Sequence, residues 1–239
     1  MISFATIQQF ARKLQTTELN IQREYIQHVF LSYFYQQPNT DTIYFKGGTA
    51  LRIIHHSPRF SEDLDFNASK SDINSLETII IQTLSSIERE GIKTELKEAK
   101  KTSGGYLAII NFLLGGRQLS LQLELSQRRA INKGEVVTVA NNFIPPYNLT
   151  ALSQKELIGE KIAAVLTRKK ARDFYDLYFI LRADLIPTEE KKVLPKVLNL
   201  SKKTTIRFEN ELKNFLPKSH WSVIKNFKQT LDSEIQRSF

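Results

Sequence analysis

At 239 residues the chain is long enough for one domain, or two tightly joined ones, with a buried core. Its 41% apolar and 25% charged residues are ordinary for a water-soluble globular protein, and 34 Lys and Arg against 25 Asp and Glu leave a net +9, which favours polyanionic partners (RNA, DNA or nucleotides), with a basic surface kept for solubility as the alternative. The lack of cysteine excludes a disulfide, a thiolate zinc site and a cysteine nucleophile; no apolar run approaches the ~20 residues that cross a bilayer, and the first residues lack the regions of a signal peptide, so the cytoplasm is the expected compartment.

Phe4, Ile7, Phe10, Ala11 and Leu14 recur at helical spacing over residues 3–14. Leu19, Tyr25, Ile26, Val29, Phe30 and Phe34 do so over 18–36, and Pro38-Asn39 ends that second helix. Core packing is the plain role for both; a partner surface is the alternative. Ile43, Tyr44 and Phe45 predict a strand. Gly47-Gly48 lets the backbone turn sharply and approach a ligand. Thr49 can cap a helix over about 49–56 whose free N–H groups would face an anion. Ser57-Pro58 stops that helix, and the adjacent His55 and His56, which do not share a face, read as structural or surface residues. Asp63 and Asp65 flank Leu64 in a short strand, so both carboxylates leave one face, with Cα atoms roughly 6.5 Å apart. Like charges so placed repel unless something positive lies between them. A divalent cation is the usual answer, since Mg²⁺ takes one or two carboxylates plus substrate phosphates. Singly, a Gly-Gly turn or an Asp-x-Asp strand edge is commonplace. In succession, with Arg52 and Arg59 between them, they lay out a phosphate cradle and a metal-binding pair, as nucleotidyl transfer requires. The stretch is neither a Walker A loop nor a Gly-x-Gly-x-x-Gly fingerprint.

A helix is predicted over about 72–90, with Ile73, Leu76, Ile79, Ile80, Leu84 and Ile87 inward. Strands over 92–99 and 105–114 follow, then a hairpin turn at Gly115-Gly116. In the next strand, 117–126, Leu119, Leu121, Leu123 and Leu125 alternate with Gln122 and Glu124. Glu124 is a candidate third carboxylate if this strand lies beside that of Asp63 and Asp65, and otherwise an exposed residue of a half-solvated sheet. Residues 136–139 read as an edge strand. Pro145-Pro146-Tyr147-Asn148 marks a boundary, dividing the chain into 1–148 and a helical 149–239. A helix over 152–168 carries Lys161 inside the stripe of Leu157, Ile158, Ile162 and Val165, so this lysine either snorkels outward or reaches into a cleft. In a helix over 172–182, Asp173 and Asp176 share a face, with Phe174, Leu177, Tyr178 and Leu181 as the buried stripe. A favourable charge in the first helical turn accounts for Asp173 by itself. Short, Lys-rich helical segments punctuated by Pro187, Pro195 and Pro217 complete the chain.

Phe45-Lys46-Gly47-Gly48-Thr49-Ala50-Leu51, followed by Arg59-Phe60-Ser61-Glu62-Asp63-Leu64-Asp65-Phe66, resembles the AbiEii/AbiGii-type (MenA-like) nucleotidyltransferase toxins. Glu160-Lys161, Arg168 and Arg172-Asp173-Phe174-Tyr175-Asp176-Leu177-Tyr178 resemble the same family, so the likeness runs in order over roughly residues 40–185. It implies an α/β (α+β) fold: a nucleotidyltransferase-type mixed β-sheet flanked by helices, then an α-helical C-terminal half. It also implies metal-dependent transfer of a nucleotide from an NTP to RNA, with tRNA as the target, by the toxin of a toxin–antitoxin or abortive-infection system with a cognate antitoxin. On the matched residues, Asp63 and Asp65 would bind Mg²⁺ (or Mn²⁺), with Glu124 as a third ligand, and Gly47, Gly48 and Thr49 would cradle the triphosphate. The family often has Ser at the place of Thr49, so the hydroxyl is kept. Lys161 would neutralise phosphate charge, Arg59 or Arg168 would assist, and Asp173 resembles the family's downstream active-site carboxylate. The fold equally permits nucleotidylation of a small molecule or a protein, or a non-catalytic RNA- or partner-binding role; intact Asp63 and Asp65 count against the last.

Overall fold

The computed structural model describes residues 1–68, 73–127 and 134–239. Among them the chain forms two compact units, Met1–His56 with Phe60–Ser153, and Ser57–Arg59 with Gln154–Phe239.

The first unit is built on a sheet. Ser3 and Thr17 cap helices α1 (Phe4–Lys13) and α2 (Glu18–Phe34), their hydroxyls accepting from the Thr6 and Asn20 N–H groups. Strand β1 (Ile43–Lys46) runs straight into the short helix α3 (Gly47–Ile53), and β2 (Leu64–Ala68) returns antiparallel beside β1. Helix α4 (Ile73–Arg89) precedes an antiparallel meander of β3 (Lys93–Thr102), β4 (Gly105–Leu114) and β5 (Arg117–Gln127). Residue 72, the expected start of α4, lies outside the described residues. Gly115 and Gly116 take φ of +57° and +78°, which a two-residue hairpin with primed geometry requires. Strands β6 (Glu135–Val139) and β7 (Tyr147–Ala151) complete a mixed sheet in the order β3-β4-β5-β2-β1-β7-β6. β2 and β5 are parallel, as are β1 and β7.

The leucine alternation in β5 places Leu119, Leu121, Leu123 and Leu125 in the core. Phe34 of α2 meets Phe66 of β2, which meets Phe45 of β1, at ring-centroid distances of 5.3 and 5.6 Å. The chain does not turn helical at residue 149. Tyr147, Leu149 and Ala151 are buried at alternate positions, β7 pairs with β6, and the Leu152 N–H donates to the Phe45 carbonyl, so the first unit runs to Ser153.

The second unit is helical: α5 (Gln154–Thr167), α6 (Ala171–Arg182), α7 (Leu194–Lys203), α8 (Phe208–Leu212), α9 (Trp221–Lys225) and α10 (Phe227–Arg237), with short 3₁₀ turns between the later ones. Its core gathers Phe174, Tyr175, Phe208 and Phe227, with Phe208 and Phe227 centroids 4.9 Å apart. No helix among the described residues is long and apolar enough to cross a membrane.

Candidate active site

In the sheet unit the site residues sit where β1, α3 and β2 meet. Gly47 has φ +84°, and a Cβ there would lie 2.0 Å from Asp65 Oδ2. The position therefore requires glycine twice over: for its backbone, and because the Asp65 carboxylate occupies the space of a side chain. Gly48 follows, buried. Thr49 does not cap the helix, which begins two residues earlier with Lys46 at its cap position. Instead the fully buried Thr49 hydroxyl donates to the Asp63 carbonyl at 2.5 Å, tying the Gly-Gly turn to the segment entering β2. Asp63 lies just before the strand and Asp65 within it, and both are half-buried. Arg52 pairs through two nitrogens with Glu24 of α2, at 2.8 and 3.1 Å.

Register places a row of charges across the sheet. Lys46 of β1 stands opposite Asp65 of β2, and Asp65 is in register with Glu124 of β5. Paired residues on neighbouring strands send their side chains to one face. The strand of Glu124 thus lies directly beside that of Asp65. Glu124 is exposed, and its carboxylate accepts from Gln122 Nε2 at 2.6 Å. Lys46, buried in this row, escapes a reading of the sequence because only strand register puts it across from an aspartate.

In the helical unit a second group of charges is buried. Asp176 of α6, 1% exposed, accepts from Arg59 Nε at 2.7 Å and Nη2 at 2.9 Å, and from Lys161 Nζ of α5 at 2.7 Å. Burial pushes this carboxyl up, but Arg59 and then Lys161 outweigh it and hold it down at about 2. Lys161 does not snorkel; it is buried, and its partner is Asp176, which the candidate set omits. The signal lay in the i, i+3, i+4, i+7 spacing of Asp173, Asp176, Leu177 and Ile180, all buried on α6. Asp173 makes different contacts: Arg168 Nη2 donates to it at 2.7 Å and the Lys170 N–H at 3.1 Å, the latter an N-terminal cap of α6.

The donors in the sheet unit are carboxylate oxygens, which suit a hard divalent cation. Among the described residues no group of three or more His, Cys, Asp or Glu is gathered to hold a metal. Asp63 and Asp65 match the one or two carboxylates with which proteins hold Mg²⁺ beside substrate phosphates.

Residues 29–236 match the family described as the nucleotidyl transferase AbiEii toxin of a type IV toxin–antitoxin system. No curated protein sequence matches the chain. Among solved structures, a provisionally assigned nucleotidyltransferase from H. pylori is 21% identical with a TM-score of 0.70, covering 93% of this chain and 95% of its own. JHP933 from Helicobacter pylori is 20% identical with a TM-score of 0.64, covering 93% of each chain. MenT4, a nucleotidyltransferase toxin from Mycobacterium tuberculosis, is 17% identical with a TM-score of 0.63, covering 100% of this chain and 93% of its own. At these identities the likeness establishes a shared nucleotidyltransferase fold.

Proposed function

The chain belongs to the AbiEii nucleotidyl transferase toxin family of type IV toxin–antitoxin systems, and from that premise we propose that it transfers a nucleotide from an NTP to an RNA acceptor, tRNA being the expected target, in the cytoplasm. The observation that carries the proposal is the Asp65 carboxylate seated against Gly47, with Thr49 bonded to the Asp63 carbonyl. The turn that would receive the triphosphate and the carboxylates that would hold its metal are thereby one local unit.

Asp63 and Asp65 would hold Mg²⁺ or Mn²⁺; Glu124, in register with Asp65 on β5, is not gathered with them into a three-carboxylate group. A divalent ion supplies activation of an attacking hydroxyl and charge stabilisation of the leaving oxygens. Gly47, Gly48 and Thr49 accommodate the phosphates, because a glycine backbone allows their close approach. Lys161, Arg59 and Arg168 are the cations this reading assigns to phosphate charge, and each faces a carboxylate within the helical unit. Asp176 is the residue that fixes Lys161 and Arg59 in position. Asp173 serves as the downstream carboxylate while capping α6. A cognate antitoxin is the expected regulatory partner.

The test is to incubate the protein with bulk tRNA, total RNA and each labelled NTP in turn, with Mg²⁺ or Mn²⁺. Label is expected in RNA-sized species, with pyrophosphate released. Label found on protein or on a small molecule, with none on RNA, overturns the choice of acceptor.

A further inference from the structure

Positive charge is divided unequally between the two units. The helical unit carries 19 Lys and Arg against 11 Asp and Glu, and the sheet unit 15 against 14. Nearly all of the net charge therefore belongs to Ser57–Arg59 and Gln154–Phe239. On this unit a groove of about 500 Å³ runs past the start of α8 and the junction of α9 with α10. Arg207, Lys225 and Lys228 line it, with the amide side chains of Asn210, Asn226 and Gln229. Arg207, Lys225 and all three amides are exposed. Lys228 Nζ donates to the Lys202 carbonyl at 2.7 Å, which holds its ammonium in place. One carboxylate, Glu209, also borders the groove and lies 3.8 Å from Lys213. Phe208 and Phe227 line it from the unit's own core, so its position is fixed by packing.

We propose that this groove is a docking surface for the sugar–phosphate backbone of the RNA acceptor. The inference rests on the RNA-acceptor reading above. Three cations outnumber the single carboxylate, as contact with phosphate oxygens requires. The amides both donate and accept, and so match ribose hydroxyls and base edges. A charge excess spread over a whole unit, beyond the groove itself, suits a polymer of phosphates better than a single acidic side chain.

Fluorescence anisotropy of labelled bulk tRNA against the full chain, at several salt concentrations, tests it. The triple variant Arg207→Gln/Lys225→Gln/Lys228→Gln is expected to weaken binding about tenfold or more at moderate salt and to flatten the plot of log K against log salt by about 2 to 3. The control Lys93→Gln/Lys97→Gln/Lys101→Gln, which removes as much charge from exposed positions of β3, is expected to change binding less than about twofold. Equal weakening by the two triples overturns the groove in favour of net charge alone. Binding of phosphatidylserine vesicles that tRNA does not displace also overturns it. Melting curves check the fold; should the triple not fold, the exposed Lys225→Gln alone is expected to weaken binding about twofold to threefold, and no change there counts against the groove. Label transfer measured in parallel separates two failures. If the wild type labels RNA and the groove triple binds and labels equally, the groove alone is wrong. If the wild type neither binds tRNA nor labels RNA, the reading beneath it is wrong.

Discussion

A single methyl group at Gly47 would reach to 2.0 Å from Asp65 Oδ2, in a backbone conformation that disfavours it as well. Gly47→Ala is therefore expected to cost about 1 kcal/mol or more in stability and to displace the carboxylate, with nucleotidyl transfer lost before folding is. Urea melts run beside the transfer assay distinguish those two effects. Asp63→Asn and Asp65→Asn are expected to abolish transfer and toxicity at temperatures where each variant is still folded, which melts run beside the assay check. Full activity in either variant removes it from the site. Asp176 is a carboxylate whose charge the fold needs. Its carboxyl titrates at about 2 rather than at the ordinary 3.8, so the stability it contributes is fully present above about pH 4 and is lost as the pH falls toward 2. Asp176→Asn leaves Arg59 and Lys161 buried without their counter-charge and is expected to cost about 3 kcal/mol or more at neutral pH. The gap to wild type should narrow in denaturant melts between pH 4 and 2; a constant gap means that the charge is not what stabilises.

Helix α2 carries a second pH dependence of the same sign, in a higher pH window. Its His28 is buried with Nδ1 2.9 Å from the Tyr147 hydroxyl of β7, and burial, then Arg52, hold the imidazole down at about 3. The unfolded chain takes up a proton near pH 6.5 and the folded chain does not, so stability falls as the pH drops through that window, by about 2 kcal/mol between pH 7 and 5. His28→Gln, which can keep the bond to Tyr147, is expected to flatten that slope in urea melts; an unchanged slope assigns the loss to other groups. In α6, Asp173→Ala removes an acceptor from Arg168 and from the first turn. A stability loss of about 1 kcal/mol is expected from the cap alone. A fall in kcat at temperatures where the variant stays fully folded would reveal work beyond capping, and unchanged kcat confines Asp173 to structure. The elements readable from the sequence were those with a local pattern: the leucine alternation of β5, the Gly-Gly turns, the apolar stripe of α4. β7 was not readable, because five residues directly after Pro145-Pro146 become a strand only through partners as distant as β1. For the same reason Lys46 and Asp65 came into view as neighbours only once the register was fixed.

Across the whole molecule, sequence patterns gave the order of the elements other than β7, and placed Gly47 and Asp65 in one stretch of about twenty residues. They did not give Asp176, whose partner Arg59 lies 117 residues away along the chain. The same separation bears on how the protein is made. Arg59 leaves the ribosome long before α5 and α6 exist, so the helical unit cannot complete its buried charge group until Asp176 is made, about three-quarters of the way along the chain, and then only with an arginine translated 117 residues earlier. A fragment beginning at Gln154 lacks that arginine, and a fragment ending at Ser153 carries it without Asp176. A cut between Ser153 and Gln154 therefore leaves Arg59 joined to the helical unit's buried charge group by noncovalent contacts alone. Circular dichroism is expected to find the isolated 154–239 fragment less cooperative in melting than the same residues within the full chain, because the fragment lacks Arg59.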